Sequence, residues 1–192
     1  GIDTGKFAAA AMGRAGRPIP TIGTVAVLRE EKRLDLLLDA FATLRAAMPA
    51  RLIIAGDGVE RGRLEAHAGQ LGLGGDVEFT GMVQDVENVY PRLDVFALSS
   101  STEQIPNAVL EAMAAGLPVA ATAVGDVPVL VAAENAPFIV PPGDGTALAG
   151  ALDKLARDAA LRARSGLANQ RRALEVYDVA AMVAAYKALV DG

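Results

Sequence analysis

Two glutamates, Glu103 and Glu111, carry the clearest chemical signal in this sequence. They bracket Pro106-Asn107, a dipeptide suited to starting a helix, because proline is pre-organised for a first turn and asparagine caps free amides. In a helix opening there, the amides of Asn107, Ala108, Val109 and Leu110 have no intrahelical partner, and such amides form a ready anion site. A diphosphate at that point gains roughly 0.3–2 kcal/mol from the helix dipole and roughly 1.5–3 kcal/mol from each charge-assisted hydrogen bond. A carboxylate accepts two hydrogen bonds from a vicinal diol, so an acid on either side of a phosphate cradle suits a sugar–diphosphate–nucleoside. Acids also occur at helix starts simply because they complement the dipole, and spacing alone leaves the two readings level.

Other reactive residues offer less. His67, the single histidine, sits mid-helix in Leu64-Glu65-Ala66-His67-Ala68, on no loop that points at a site. Ser99, Ser100 and Ser101 have no base nearby to activate them. Asp57 and Asp85 form no cluster with metal-ligand spacing.

The elements that must position Glu103 and Glu111 follow from the hydropathy pattern. Short apolar runs at 21–28, 51–55, 76–79, 94–98, 118–121 and 137–140 read as strands. Helical stripes lie between them: 32–48 with Leu34, Leu37, Leu38, Phe41, Leu44 and Met48 on one face, then 60–71, then 107–115. From 144 to 189 the pattern is helical throughout, as three segments. Strands alternating with helices predict right-handed βαβ units, and continuously apolar strands predict a parallel sheet buried on both faces. The expected fold is therefore α/β: a doubly wound, Rossmann-like sheet of about six strands with a helical C-terminal tail. Ligands of such sheets bind outside the carboxyl ends of the strands. That rule selects the loops at Arg29–Lys32, Gly56-Asp57-Gly58, Thr80–Asp85, Ser99–Asn107 and Ala123–Asp126.

Composition sets outer bounds. The 192 residues suffice for one well-buried domain, taken as 1–192, and are short for two. A net charge of -5 with no Lys/Arg stripe argues against a nucleic-acid partner. The absence of cysteine excludes disulfides and thiolate metal sites and fits a reducing cytosol, so the expected location is cytoplasmic. No apolar run approaches the ~18–20 residues of a membrane span.

The run Glu103-x7-Glu111 followed by Ala112-Met113-Ala114-Ala115-Gly116-Leu117-Pro118-Val119 resembles the donor-site signature of retaining glycosyltransferases of the GT-B fold, the glycosyl transferases group 1. Gly1-Ile2-Asp3, Lys32, Gly56-Asp57-Gly58, Leu71-Gly72-Leu73, Phe79-Thr80-Gly81, Asp94-Val95-Phe96, Val124-Gly125 and Pro141-Pro142-Gly143-Asp144 fall in that family's order. The resemblance implies the C-terminal, donor-binding half of a two-domain enzyme, with the N-terminal acceptor-binding half lying outside this sequence. By the same resemblance Glu103 faces the transferred sugar, Glu111 the ribose, and Lys32 a phosphate, where it helps the leaving group depart. The amides at Asn107–Leu110 hold the diphosphate, Gly56 lies in a bordering loop, and the main chain at Met82-Val83 seats the base. The nucleoside diphosphate sugar is then a substrate, with no cofactor, no required metal and no protein nucleophile. This sequence holds no transmembrane segment, and the resemblance leaves room for peripheral membrane contact by the full-length enzyme.

Three departures stand out. Where the family places an arginine phosphate clamp this sequence has Val27, and either Arg29, two residues on, substitutes for it or the site is weakened. Gln104 and Ile105 replace the usual Gly and aromatic residue after Glu103, and Val129 stands where a Glu often follows Val-Pro. A non-catalytic nucleotide-binding or interaction module with a degraded clamp is the competing reading. An NAD-dependent dehydrogenase half fails because no Gly-x-Gly-x-x-Gly follows the first strand.

Overall fold

The computed structural model describes residues 1–10 and 17–190, the side chains of 185, 186 and 188–190 aside. Among the described residues six strands pair in parallel in one sheet: β1 (Thr21–Val25), β2 (Arg51–Ala55), β3 (Val77–Gly81), β4 (Val95–Leu98), β5 (Val119–Thr122) and β6 (Ile139–Val140). Their order is β3-β2-β1-β4-β5-β6, the doubly wound arrangement expected from the sequence, with its reversal between β1 and β4.

Side-chain alternation distributes each strand between two cores. Leu52, Ile54, Val95, Ala97 and Ala120 face one core, which is closed by α2 (Leu34–Ala47), α3 (Arg61–Gln70) and α6 (Gly145–Arg157). Ile53, Ala55, Phe96, Leu98, Val119 and Ala121 face the other, closed by α1 (Thr4–Ala10), α4 (Asn107–Ala114) and α7 (Ala159–Val176). Both faces being dry explains why these strands read as unbroken apolar runs. The tail beyond β6 is three helices, as the pattern indicated: α6, α7 and α8 (Val179–Val190). The chain start is tied to the α7–α8 junction, where Ile2 N donates to Tyr177 O at 3.0 Å and Val179 N to Ile2 O at 2.9 Å.

Element boundaries differ in instructive ways. The first strand ends at Val25 instead of Leu28, although Ala26 N and Leu28 N still donate to Ala55 O and Asp57 O. The third runs on to Gly81, and the last shrinks to two residues because Ala133–Phe138 coils into 3-10 turns. Two short helices escaped the sequence reading: α1, too brief to show a periodic stripe, and α5 (Val127–Leu130), one turn opened by Pro128. The 3-10 turns at Val86–Asn88 and Tyr90–Arg92, in place of a plain loop, lead into β4.

Candidate donor site

The reversal of strand order places the loops after β1 and β4 side by side, and backbone bonds stitch them together. Ser101 N donates to Glu31 O at 2.8 Å, and Ser99 Oγ donates to Lys32 O at 2.8 Å. From the next loop along, Thr122 Oγ1 donates to Ser100 O at 2.7 Å and Asp126 N to Gln104 O at 2.9 Å. Arg33, beside Lys32, has φ 45°, a left-handed conformation that costs a non-glycine residue roughly 1–2 kcal/mol. Such outliers persist where surrounding structure enforces them, often beside functional groups.

These constraints bring Lys32 and Glu103 together. Lys32 Nζ lies 2.7 Å from Glu103 Oε1, and the same oxygen accepts Ser100 Oγ at 2.7 Å. The two side chains are only 22% and 11% exposed, so the ion pair is held in a largely desolvated setting. Both line a cavity of about 160 Å³, together with Ile105, Asn107 and Ala108 and the end of β1 at Thr24–Ala26. A larger cavity of about 420 Å³ opens at the opposite, amino edge of the sheet, but two of its arginines are already committed, Arg92 to Glu78 and Arg17 to Asp94. The carboxyl-edge cavity therefore has the better claim to a ligand.

The anion cradle is narrower than the sequence suggested. Val109 N and Leu110 N both turn back to the Pro106 carbonyl, at 3.0 and 3.4 Å, and both residues are buried. Among the described residues no acceptor meets the amides of Asn107 and Ala108, and both residues line the cavity. Extended Pro106 (φ -73°, ψ 106°) aims its carbonyl into the first turn, so two free donors remain instead of four.

Glu111 lies one turn along α4, outside the cavity walls, with Oε2 accepting the Tyr90 hydroxyl at 2.5 Å. Burial pushes its carboxyl above the usual carboxylate range, with Glu87 adding to the rise, while the Tyr90 hydrogen bond and Lys6 pull it back. Tyr90 itself is pushed well above 10, first by burial and then by the Glu111 charge and hydrogen bond.

The remaining sequence candidates are scattered. Gly56 serves the backbone: at φ 129° a Cβ there would meet Ala26 O at 1.9 Å, so the glycine lets β2 close against a wall of the cavity instead of lining it. Arg29 is exposed and outside the cavity, as is Val27 at 53%. Met82 is exposed beyond β3, whereas Val83 packs against the α4 core. His67 faces Asp39 at 2.8 Å across α2 and α3, away from the site. Sequence reasoning missed Tyr90 and Ser100. Ser100 had a signal in its position three residues before Glu103; Tyr90, in an irregular turn, had none.

A doubly wound parallel sheet with a half-buried lysine, an acid and a helix start at its switch point defines a Rossmann-like domain. The chain belongs to the glycosyl transferases group 1 family, whose model matches residues 19–158. It is 32% identical over 164 residues to the lipopolysaccharide core biosynthesis glycosyltransferase LpsE of Rhizobium meliloti, covering 84% of this chain and 47% of LpsE. It is 31% identical over 181 residues to the 2-deoxystreptamine N-acetyl-D-glucosaminyltransferase of Streptomyces fradiae, covering 86% and 43%. The chain thus spans less than half the length of these curated relatives. Its fold matches the Anabaena HepE crystal structure, in complex with UDP, with a TM-score of 0.86 at 24% identity, over all of this chain and 56% of that one. The domain is accordingly the C-terminal half of a GT-B glycosyltransferase fold. No helix among the described residues is long and apolar enough to cross a membrane.

Proposed function

We propose that this chain is the donor-binding domain of a retaining glycosyltransferase that moves a hexose-type sugar from a nucleoside diphosphate sugar to an acceptor. The observation that carries the reading is the convergence of Lys32, Glu103 and the free amides of Asn107 and Ala108 on one cavity at the switch point. An incoming diphosphate competes with Glu103 for Lys32. Lys32 then meets the phosphate as a point charge, and Glu103, released, turns to the sugar hydroxyls. Glu111 takes the ribose, and the main chain by Met82 and Val83 borders the base. Lysine and helix amides meet the charge on the leaving diphosphate, so the reading invokes no resident metal. Without a protein nucleophile, the departing phosphate assists attack on the face it leaves. The HepE structure with UDP supports a nucleoside diphosphate as ligand.

The relatives' greater length supports a further domain on the acceptor side. The 192-residue chain alone is then expected to bind a nucleoside diphosphate weakly and to transfer nothing. Titration with UDP, GDP and ADP tests the reading, repeated with Lys32→Ala and Glu111→Ala. Each substitution removes a hydrogen bond to a charged group and weakens the best ligand roughly 10–100-fold. If neither weakens it, the exposed Val27 at the clamp position favours the competing reading, a module that does not handle donor sugars. Turnover by the isolated chain would contradict the two-domain requirement.

A further inference from the structure

Glu111 is held from behind by a residue with very little freedom. Tyr90 is 0% exposed, and its hydroxyl reaches Glu111 Oε2 at 2.5 Å, with Ala108 O a distant second acceptor at 3.5 Å. The ring is wedged between two others. Phe7 of α1 meets it edge-on, with centroids 5.5 Å apart and planes at 83°, and Phe96 of β4 lies tilted at 6.1 Å. Edge-to-face contacts of this kind fix ring orientation as well as burying area. The phenol keeps its proton throughout the working pH range, so it acts only as a donor towards the carboxylate. One oxygen of Glu111 is thereby occupied and the carboxylate plane set, leaving Oε1 as the acceptor for an outside hydroxyl.

We propose that Tyr90 is a positioning residue for Glu111, holding its carboxylate so that the free oxygen meets the ribose hydroxyls of a nucleoside diphosphate, with Phe7 locking the Tyr90 ring. This inference rests on the donor-site reading above. It also makes α1 part of the site, although α1 lies before the stretch that matches the family model. A half-buried carboxylate without that donor loses both its orientation and a hydrogen bond that offsets its desolvation.

Tyr90→Phe removes one oxygen and keeps the ring. Isothermal titration compares wild type and variant with UDP, with its 2′-deoxy and 3′-deoxy analogues, and with inorganic pyrophosphate; GDP and ADP series replace UDP if either binds more tightly. Wild type is expected to bind a deoxy analogue about tenfold more weakly than the ribonucleotide. The variant is expected to lose about tenfold for UDP and most of that discrimination, with pyrophosphate binding unchanged because pyrophosphate does not reach Glu111. Phe7→Leu should give the same pattern with a smaller loss. Unaltered UDP affinity and discrimination in Tyr90→Phe would overturn the proposal, and so would equal losses for UDP and pyrophosphate, which signal general disruption. A chain that binds pyrophosphate but no nucleoside diphosphate overturns the ribose role of Glu111 while leaving the anion cradle intact. A chain that binds neither overturns the donor-site reading itself.

Discussion

Gly125 is where a single methyl group should do most damage to the site, by pressing on the main chain of Glu103. The residue has φ 50°, and a Cβ added there would lie 2.3 Å from Glu103 O and 2.4 Å from Gln104 O. Real Cβ atoms essentially never come nearer than 3.0 Å, so the Glu103 loop or the Gly125 turn must retreat by ~0.7 Å or more. The left-handed conformation costs alanine roughly 1–2 kcal/mol. Forcing the loops apart adds roughly 1–3 kcal/mol of overpacking strain. Gly125→Ala should therefore lose about 2–5 kcal/mol, a fall in Tm of roughly 4–20 °C for a domain of this size. The shift passes directly to Glu103, whose bond to Lys32 is short and leaves little slack. Nucleoside diphosphate affinity should fall with it. Gly150→Ala is the control: this glycine lies exposed within α6 with nothing near its Cβ position, and alanine there should gain about 0.5–1 kcal/mol. Thermal denaturation and calorimetric titration of the two variants decide the matter. Wild-type stability and affinity in Gly125→Ala, or equal losses in both variants, would show that this turn does not brace the Glu103 loop.

Three further outcomes follow from the same geometry. Because burial raises the folded-state pKa of Glu111, its protonated form contributes stability that is complete below the ordinary value of 4.5 and is lost as pH rises through the raised value. Glu111→Gln should thus gain stability over wild type above that range and not below it, and a pH-independent difference in urea melts would contradict this. Asn169 is wholly buried and pairs with Ala132 N, Leu117 O and Asn135 Oδ1 at 3.0 Å each, so Asn169→Ala should cost about 2–4 kcal/mol in chemical denaturation through unpaired polar groups; a loss under about 1 kcal/mol would show that water replaces the amide. A double-mutant cycle of Lys32→Met with Glu103→Gln should give a coupling of about 1–2 kcal/mol, between values for exposed and buried pairs; a coupling near zero would mean that the contact does not hold the empty site together.

The fold was legible where burial imposes a pattern. Runs such as Leu52–Ala55 face dry cores on both sides and leave no alternative to a central parallel strand, and the Leu34–Leu44 stripe has only one helical face to bury. Glu103 and the start of α4 were legible because proline and asparagine act locally. What the sequence concealed depends on distant partners. Nothing in the neighbourhood of Pro106 says that its carbonyl takes two of the four first-turn amides, or that Glu103 spends one oxygen on Lys32 and Ser100. The short α1 has too few turns to show amphipathicity, and its worth lies in Phe7 reaching a tyrosine more than eighty residues away. Gly56 and Gly125 looked like loop glycines; only the packing shows that the first meets Ala26 and the second Glu103.

The central claim is that a nucleoside diphosphate binds at the α4 start between Lys32 and Glu111. Its most direct test is amide chemical-shift mapping of the chain titrated with UDP, GDP and ADP. The amides of Asn107 and Ala108 are expected to move most, together with Lys32 and the Ser99–Glu103 loop, while Val109 and Leu110, already bonded to Pro106, move less. Perturbations confined to the amino edge of the sheet around Arg17, Arg51 and Arg92, or no saturable perturbation at all, would contradict it.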